Sequence, residues 1–450
     1  MNLLSALRTG PRARLAFTGA GGKSTALFRL TREMAAGNPQ PTAVLLTATT
    51  HLAVSQTALA DAWRVVQTPG DVESVFQGIS GVTLFTGPPG ADQRTAGLDG
   101  PILERLRELA DEAGLPLLVE ADGSRRRPLK APADHEPVVP EWVDEVVVVA
   151  GLSGLGRPLD AETVHRPEIF GRLAGLAPGE TITLEALGRV LAHPQGGLKS
   201  IPPGAKRTLL LNQAGAPERL AQASRLAEDL RRVYPRVLIA DLANPQEDQE
   251  VAAVFTPTAG VVLAAGGASR FGQPKQLLDW RGQPLVRRAA QTGLSAGLDP
   301  LVAVIGAFPD QIRGALDGLP VRIVENPDWA AGQSTSLRAG LLALPPETGA
   351  AVFLLCDQPQ TPERLVSSLV DAHRRTQAVV VAPLVDGKRS NPVLFDRRAF
   401  PDLLGLEGDT GGRAVFSKYR VHYVEWLDAR QALDIDTPED YRRLMESSGE

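Results

Sequence analysis

The chain has 450 residues, 43% hydrophobic and 22% charged, which is an ordinary globular composition at a length that calls for two or three domains. A formal charge of −5 gives no electrostatic drive toward nucleic acid or membranes, and the one cysteine, Cys356, excludes an intrachain disulfide framework and a thiolate zinc cluster. Residues 1–14 hold too short an apolar run for a signal peptide and no stretch approaches a membrane span, so a cytoplasmic protein is expected.

The first apolar run, 15–17, leads into Thr18-Gly-Ala-Gly-Gly-Lys-Ser-Thr25 and then a helical pattern. Glycine permits the turn and a helix N-terminus favours anions, so backbone N–H groups can converge there on phosphate oxygens. A full Walker A motif carries glycine where Phe17 stands. The loop therefore reads as a variant in which Gly19, Gly21 and Gly22 supply backbone freedom, Lys23 meets the β- and γ-phosphates, and Ser24 or Thr25 reaches a metal. The bland alternative is a strand–turn–helix junction with a solvated lysine.

Strands follow at 44–47, 82–85 and 117–119. His51 trails the first of these as a possible polar site residue. The last ends in Glu120 and Asp122, a Walker-B-like pair. Next comes Ser124-Arg-Arg-Arg-Pro-Leu-Lys130, a basic run that either seats an anionic substrate or is a solvated loop. His165 and His193 lack metal-ligand spacing and receive no role. Strands at 146–149, 209–211 and 237–239 alternate with helices at 102–113 and 217–233, the pattern of a parallel sheet covered by helices.

At 244–260 the alternation breaks, which sets expected domains at 1–250 and 258–450. A second alternation runs through 261–264, 301–305, 321–324, 352–355 and 379–382. Its first strand opens a second glycine loop, Leu263-Ala-Ala-Gly-Gly-Ala-Ser-Arg-Phe-Gly-Gln-Pro-Lys275. Leu263, Ala264, Ala265, Gly266 and Gly267 let a backbone approach a triphosphate, and Arg270 and Lys275 add cations. Asp357 closes an apolar strand, where ligands of open α/β sheets gather. Asp436 precedes a terminal helix whose N-cap is Thr437, with Pro438 at N1. Two hard-oxygen sites of this kind suit Mg²⁺ shared with a nucleotide phosphate.

These second-half residues resemble the MobA/MocA-like nucleotidyltransferases of molybdenum-cofactor maturation. The resemblance is carried by LAAG with Arg270 and Lys275, Gly332-Gln-Ser-Thr-Ser-Leu-Arg338, Cys356-Asp-Gln-Pro359, Ser390-Asn-Pro-Val-Leu-Phe395, Gly408-Asp-Thr-Gly-Gly-Arg413 and Asp434-Ile-Asp-Thr-Pro-Glu-Asp-Tyr441. It implies a Rossmann-like three-layer α/β/α fold, Mg²⁺ on Asp357 and Asp436, and catalytic roles for Arg270, Lys275 and Asp357. Ser334, Ser336, Asn391 and Asp409 fall on the pterin side by the same resemblance. An LAAG start looks like the cytidylyltransferase branch, whereas the guanylyltransferase branch reads LAGG, so Ala265 points to CTP. Ala268 departs from the serine many members carry there.

The first half is similar to the YqeC family of selenium-dependent hydroxylase accessory proteins, on GAGGKST, TATTH, the run from Val119 to Pro140, Val164-His-Arg-Pro-Glu-Ile-Phe170, His193-Pro-Gln-Gly-Gly-Leu-Lys199 and Leu209-Leu-Leu-Asn-Gln-Ala-Gly215. Together the glycine loop and the Glu120–Asp122 strand end make the expectation for this half a P-loop-like α/β domain taking ATP or GTP. Members often carry an Asn-Lys-x-Asp element at the last of these motifs. Here Gln213 and Gly215 replace its Lys and Asp, which removes the usual guanine-reading route. The combined expectation is a bifunctional maturation protein. One half transfers CMP from CTP to molybdopterin, the other binds or hydrolyses a nucleotide, and the chain transiently contacts a molybdenum hydroxylase. Guanylyl transfer, another nucleotidyl transfer such as to a sugar phosphate, and non-catalytic cofactor delivery stand as alternatives.

Overall fold

The structure, a computed structural model, describes residues 1–37, 43–243, 250–267, 273–428 and 433–446. It divides into two compact units, Met1–Phe255 and Thr256–Glu450.

In the first unit nine strands form one sheet: β1 Arg14–Gly19, β2 Val44–Ala48, β3 Ala62–Val65, β4 Val82–Thr86, β5 Leu117–Glu120, β6 Glu145–Gly151, β7 Lys206–Asn212, β8 Arg236–Ala240 and β9 Val251–Phe255. Their order is β9-β8-β7-β6-β1-β5-β2-β4-β3, parallel throughout except for β9. All seven residues of β6 are buried, as expected for a strand covered on both faces. The helices doing the covering include α1 Lys23–Ala35, α2 Gly100–Ala113 and α3 Pro217–Leu230. In α2 the Asp99 side chain accepts from Ile102 N–H, Pro101 sits in the first turn and Gly114 ends the helix in the left-handed conformation. Its Ile102, Leu103, Leu106 and Ala110 form the buried stripe.

Every strand expected in this half forms, and β3 and β9 are additional. β9 lies where the alternation had been read as broken. It runs antiparallel along the sheet edge and extends the unit to Phe255. Because β1 has β6 on one side and β5 on the other, its C-terminal end is a topological switch point. The glycine loop Ala20–Gly22 starts there.

The second unit is a mixed sheet of β10 Thr258–Ala264, β11 Leu301–Ile305, β12 Arg322–Glu325, β13 Ala350–Leu355, β14 Val380–Val385, β15 Lys388–Arg389, β16 Val393–Asp396 and β17 Val421–Trp426. The order is β12-β11-β10-β13-β16-β14-β15, with β17 parallel to β14. Helices α4 Leu285–Ser295 and α6 Glu363–Thr376 pack one face, and α5 Gln333–Leu342 packs the other. This is the expected three-layer arrangement. β10 lies between β11 and β13, so Ala264 again ends at a switch point, with Asp357 just beyond the neighbouring strand. Among the described residues no helix is long and apolar enough to cross a membrane.

Candidate functional sites

Close backbone approach dictates the glycines of the first loop. A Cβ on Gly21 (φ 78°) would stand 2.3 Å from the Gly151 backbone, and one on Gly22 (φ 116°) would stand 2.2 Å from Asn212 Nδ2. Asn212 is buried, donates to Gly21 O at 2.8 Å and accepts from Leu242 N–H at 3.0 Å. Both ends of its amide are occupied in bracing the loop. That physical use explains an asparagine retained without the Lys and Asp of a guanine-reading element.

Lys23 is 3% exposed. Its Nζ lies 2.6 Å from Asp122 Oδ1 and 3.4 Å from Glu120 Oε1. Burial opposes its charge, but the two carboxylates outweigh burial and hold the ammonium above the ordinary lysine range. Ser24 Oγ donates to Glu120 Oε2 at 3.0 Å. Asp122 Oδ2 accepts from Gly19 N–H at 3.1 Å and from Lys130 Nζ at 2.9 Å. Lys130 continues to Glu136 at 2.6 Å, and Glu136 takes both Nη groups of Arg166 at 2.7 and 3.0 Å. Three cations thus alternate with three carboxylates in a neutral, largely buried chain.

The basic run 124–130 is therefore not one feature. Lys130 belongs to the network because Leu129–Lys130 pairs with Val164–His165, whereas Arg125 and Arg126 are exposed. His165, which lacks metal-ligand spacing and was expected to play no part, sits beside this chain. Burial, Arg166 and Lys130 push its imidazole down to about 4. Glu136 is held at about 2, with Arg166 and Lys130 outweighing the burial that acts the other way.

Both groups bind protons more weakly in the folded chain than in the unfolded one, so acid favours unfolding. The stabilisation from His165 is full above its ordinary value near 6.5 and lost as pH falls toward about 4. The share from Glu136 is lost between about 4.5 and about 2. The melting temperature of the first unit is expected to fall steadily from pH 6.5 downward. His165→Gln should flatten only the upper part of that fall. A wild-type profile that stays level between these limits contradicts the assignment.

The glycine loop, the start of α1 and residues 123–127 line a cleft of about 430 Å³, with His51, Arg94 and Thr25 also on its lining. His51 Nδ1 lies 2.9 Å from Thr95 O, an acceptor only, so Nδ1 is the donor in that bond.

In the second unit Lys275 is the hub. Its Nζ lies 2.9 Å from Asp357 Oδ2 and 3.1 Å from Asp436 Oδ1. Partial burial works against the ammonium, and the two carboxylates more than compensate, raising its pKa. Asp357 Oδ1 is buried and has no hydrogen-bond partner among the described residues. An orphaned carboxylate oxygen beside a second carboxylate is a donor set that fits a hard divalent cation. Asp357 O accepts from Ile435 N–H at 2.9 Å, which docks the 433–437 segment on the end of β13.

Asp436 does not cap the terminal helix α7 Pro438–Glu446. Thr437 does so, accepting from Asp440 N–H at 3.2 Å, which leaves the Asp436 carboxylate for Lys275. Asp434 was missed from sequence. It accepts from Gln358 Nε2 at 2.6 Å, and burial together with Asp357 and Asp436 raises its pKa. The signal was the Asp-Ile-Asp alternation around a fully buried Ile435.

The loop itself is braced from below. Gln276 Nε2 donates to Ala264 O and Gly266 O at 3.3 and 2.7 Å, and Cys356 Sγ donates to Leu263 O at 3.3 Å. Ala265 is buried and its carbonyl accepts from Ala307 N–H at 3.1 Å. A Cβ on Gly267 would meet the Trp329 ring at 2.9 Å. Arg270 lies outside the described residues.

Ser334 and Ser336 are both buried at the start of α5. Ser334 Oγ donates to Gly408 O at 2.7 Å, and Ser336 Oγ accepts from Asn326 Nδ2 at 3.0 Å. Their hydroxyls hold loops together. Asp409 accepts from Gln333 N–H at 3.4 Å and is exposed, and Asn391 is half-buried just before β16. The structure thus joins Lys275, Asp357 and Asp436 directly, and separately joins the 332–336 and 408–409 segments.

Comparison with known proteins matches residues 15–168 to the YqeC protein family and residues 260–423 to the MobA-like NTP transferase domain. The chain is 32% identical over 222 residues to the uncharacterized protein YqeC of Escherichia coli (strain K12), covering 48% of this chain and 82% of that one. It is 33% identical over 195 residues to the nicotine blue oxidoreductase of Paenarthrobacter nicotinovorans, covering 41% and 95%. To the molybdenum cofactor cytidylyltransferase of Escherichia coli (strain K12) it is 25% identical over 186 residues, covering 40% and 92%. A lysine held between two carboxylates beside a glycine loop, on a chain with these relatives, marks a nucleotidyltransferase that belongs to the YqeC family in its first unit and to the MobA-like NTP transferases in its second.

Proposed function

We propose that the second unit transfers CMP from CTP to molybdopterin and releases pyrophosphate. The carrying observation is the Asp357–Lys275–Asp436 cluster with its orphaned Asp357 oxygen, and the name of the Escherichia coli cytidylyltransferase supports the substrate. A terminal phosphate oxygen of molybdopterin attacks the α-phosphorus of CTP, and the bond to the bridging oxygen breaks as pyrophosphate leaves. Mg²⁺ on Asp357 and Asp436, when bound, supplies Lewis-acid charge at the phosphate oxygens. Lys275 leaves its carboxylates for the triphosphate, where Arg270 joins it. Ser334 and Ser336 act by fixing the pterin-side loops, with Asn391 and Asp409 meeting the substrate.

The test is transfer of label from α-labelled CTP or GTP to molybdopterin with Mg²⁺, using the full chain. The oxidoreductase name of the Paenarthrobacter relative motivates a second reading. Consumption of a redox cofactor with no pyrophosphate released would favour it. Ala265→Gly is expected to lower the preference for CTP over GTP about tenfold, since one methyl group sets the loop path. An unchanged ratio removes Ala265 as the selector.

The first unit, in the same proposal, is a P-loop-like domain that binds and hydrolyses ATP or GTP during maturation of a molybdenum hydroxylase. The Ser24–Glu120 and Lys23–Asp122 contacts support this, because they couple the loop to the acids ending β5. Fusion keeps the two steps on one cofactor by raising effective concentration.

A further inference from the structure

Arg94, Arg125 and Arg126, with Arg127, line the N-terminal cleft. Arg125 and Arg126 ride on the loop after β5. Arg94 comes from the short strand Arg94–Thr95, and a Cβ on Gly123 would stand 3.8 Å from its Nη2, so it lies against the same loop. Among the described residues none of Arg94, Arg125 and Arg126 has a carboxylate partner; Arg94 donates to His51 O at 2.8 Å. Glu120, the acid of the cleft lining, is taken by Ser24 and Lys23. Asp122 is taken by two lysines. The arginine charges are therefore left unmatched beside a neutral network.

The loop that carries Arg125 and Arg126 is tied at both ends. Lys130 Nζ donates to Gly123 O at 2.6 Å, and Arg127 O accepts from Gly21 N–H at 3.1 Å. The second bond fastens the arginine loop to the glycine loop itself. Arg125 and Arg126 keep φ at 50° and 62°, the left-handed region that residues with side chains avoid. Strained backbone, pinned at both ends and bearing unmatched cations into a cleft, is preorganised for an anion. The glycine loop and the N-terminus of α1 already offer backbone N–H groups to the phosphates of a nucleotide. Guanidinium forks lining the same cleft match the oxygens of another phosphate group.

The geometry points to a second anion subsite at Arg94, Arg125 and Arg126, which takes the phosphate group of a small-molecule co-substrate bound beside the nucleotide. This rests on the nucleotide reading of the glycine loop. The first unit is then a two-substrate domain, and the volume of its cleft suits small molecules.

Inorganic phosphate is the probe, titrated calorimetrically into the full chain saturated with a non-hydrolysable ATP or GTP analogue. Phosphate is expected to bind the saturated wild type, and the Arg125→Ala/Arg126→Ala double variant to bind it about tenfold more weakly. Affinity for the analogue should change less than about threefold. The difference between wild type and variant assigns the heat to this cleft. If the analogue abolishes phosphate binding, the arginines serve the nucleotide's own phosphates and the proposal falls. It falls equally if the double variant binds phosphate as the wild type does. If the wild type binds no analogue, the nucleotide reading has failed by itself. Phosphate binding to the ligand-free chain, lost with the two arginines, then still upholds the subsite, and its absence overturns it.

Discussion

Asp357→Ala is expected to slow nucleotidyl transfer by roughly 10²–10³-fold or more, the scale of losing a preorganised group that stabilises transition-state charge. Folding should be nearly untouched. One oxygen of this carboxylate is buried without a partner, so its removal relieves a desolvated group, and Lys275 keeps Asp436 at 3.1 Å. Pyrophosphate release and thermal melting, measured on the same preparation, separate the two effects. Wild-type pyrophosphate release by the variant would falsify the assignment. Lys275→Met gives the complementary result. With the ammonium gone, Asp357 and Asp436 lose their shared counter-ion, so Mn²⁺ used as a probe should bind the nucleotide-free chain more tightly while transfer falls.

Much of this second site was legible in the sequence because its parts mark the ends of elements. Asp357 follows an apolar strand, Asp436 precedes a helix start, and Lys275 sits at a fixed offset from a glycine loop. Such positions are set by local pattern, and a parallel sheet then brings strand ends together. Ser334 and Ser336 show where that reasoning stops. Their place in the motif was legible, but their engagement with Gly408 and Asn326 depends on long-range packing.

The first unit shows the same limit more strongly. Glu120 and Asp122 stood out as acids ending an apolar run. Lys130, Glu136 and Arg166 did not, because the pairing of Leu129–Lys130 with Val164–His165 leaves too short a strand to show a period. A run written as one basic cluster is split by that pairing into a buried lysine and exposed arginines. β9 was missed for a different reason. It follows a polar stretch and pairs along one edge only, so its five residues carry no alternation that sets them apart from a linker.

The buried network supplies the second large effect. Asp122 is 2% exposed and separates Lys23 from Lys130, whose side chains are equally hidden. Truncation to alanine leaves two buried ammonium groups with only Glu120 and Glu136 to answer them. Breaking a buried pair by removing one partner costs about 3–5 kcal/mol. For a unit of this size that is a fall of roughly 6–20 °C in melting temperature. Asp122→Leu combined with Lys130→Met should restore much of the loss, because replacing both partners removes the uncompensated charge. The network is neutral as built, so Asp122→Ala also leaves one net positive charge behind the glycine loop and releases Lys23. Saturating nucleotide should therefore recover more melting temperature in the variant than it adds to the wild type. A variant that melts within about 2 °C of wild type would mean that Asp122 does not hold the two lysines in place.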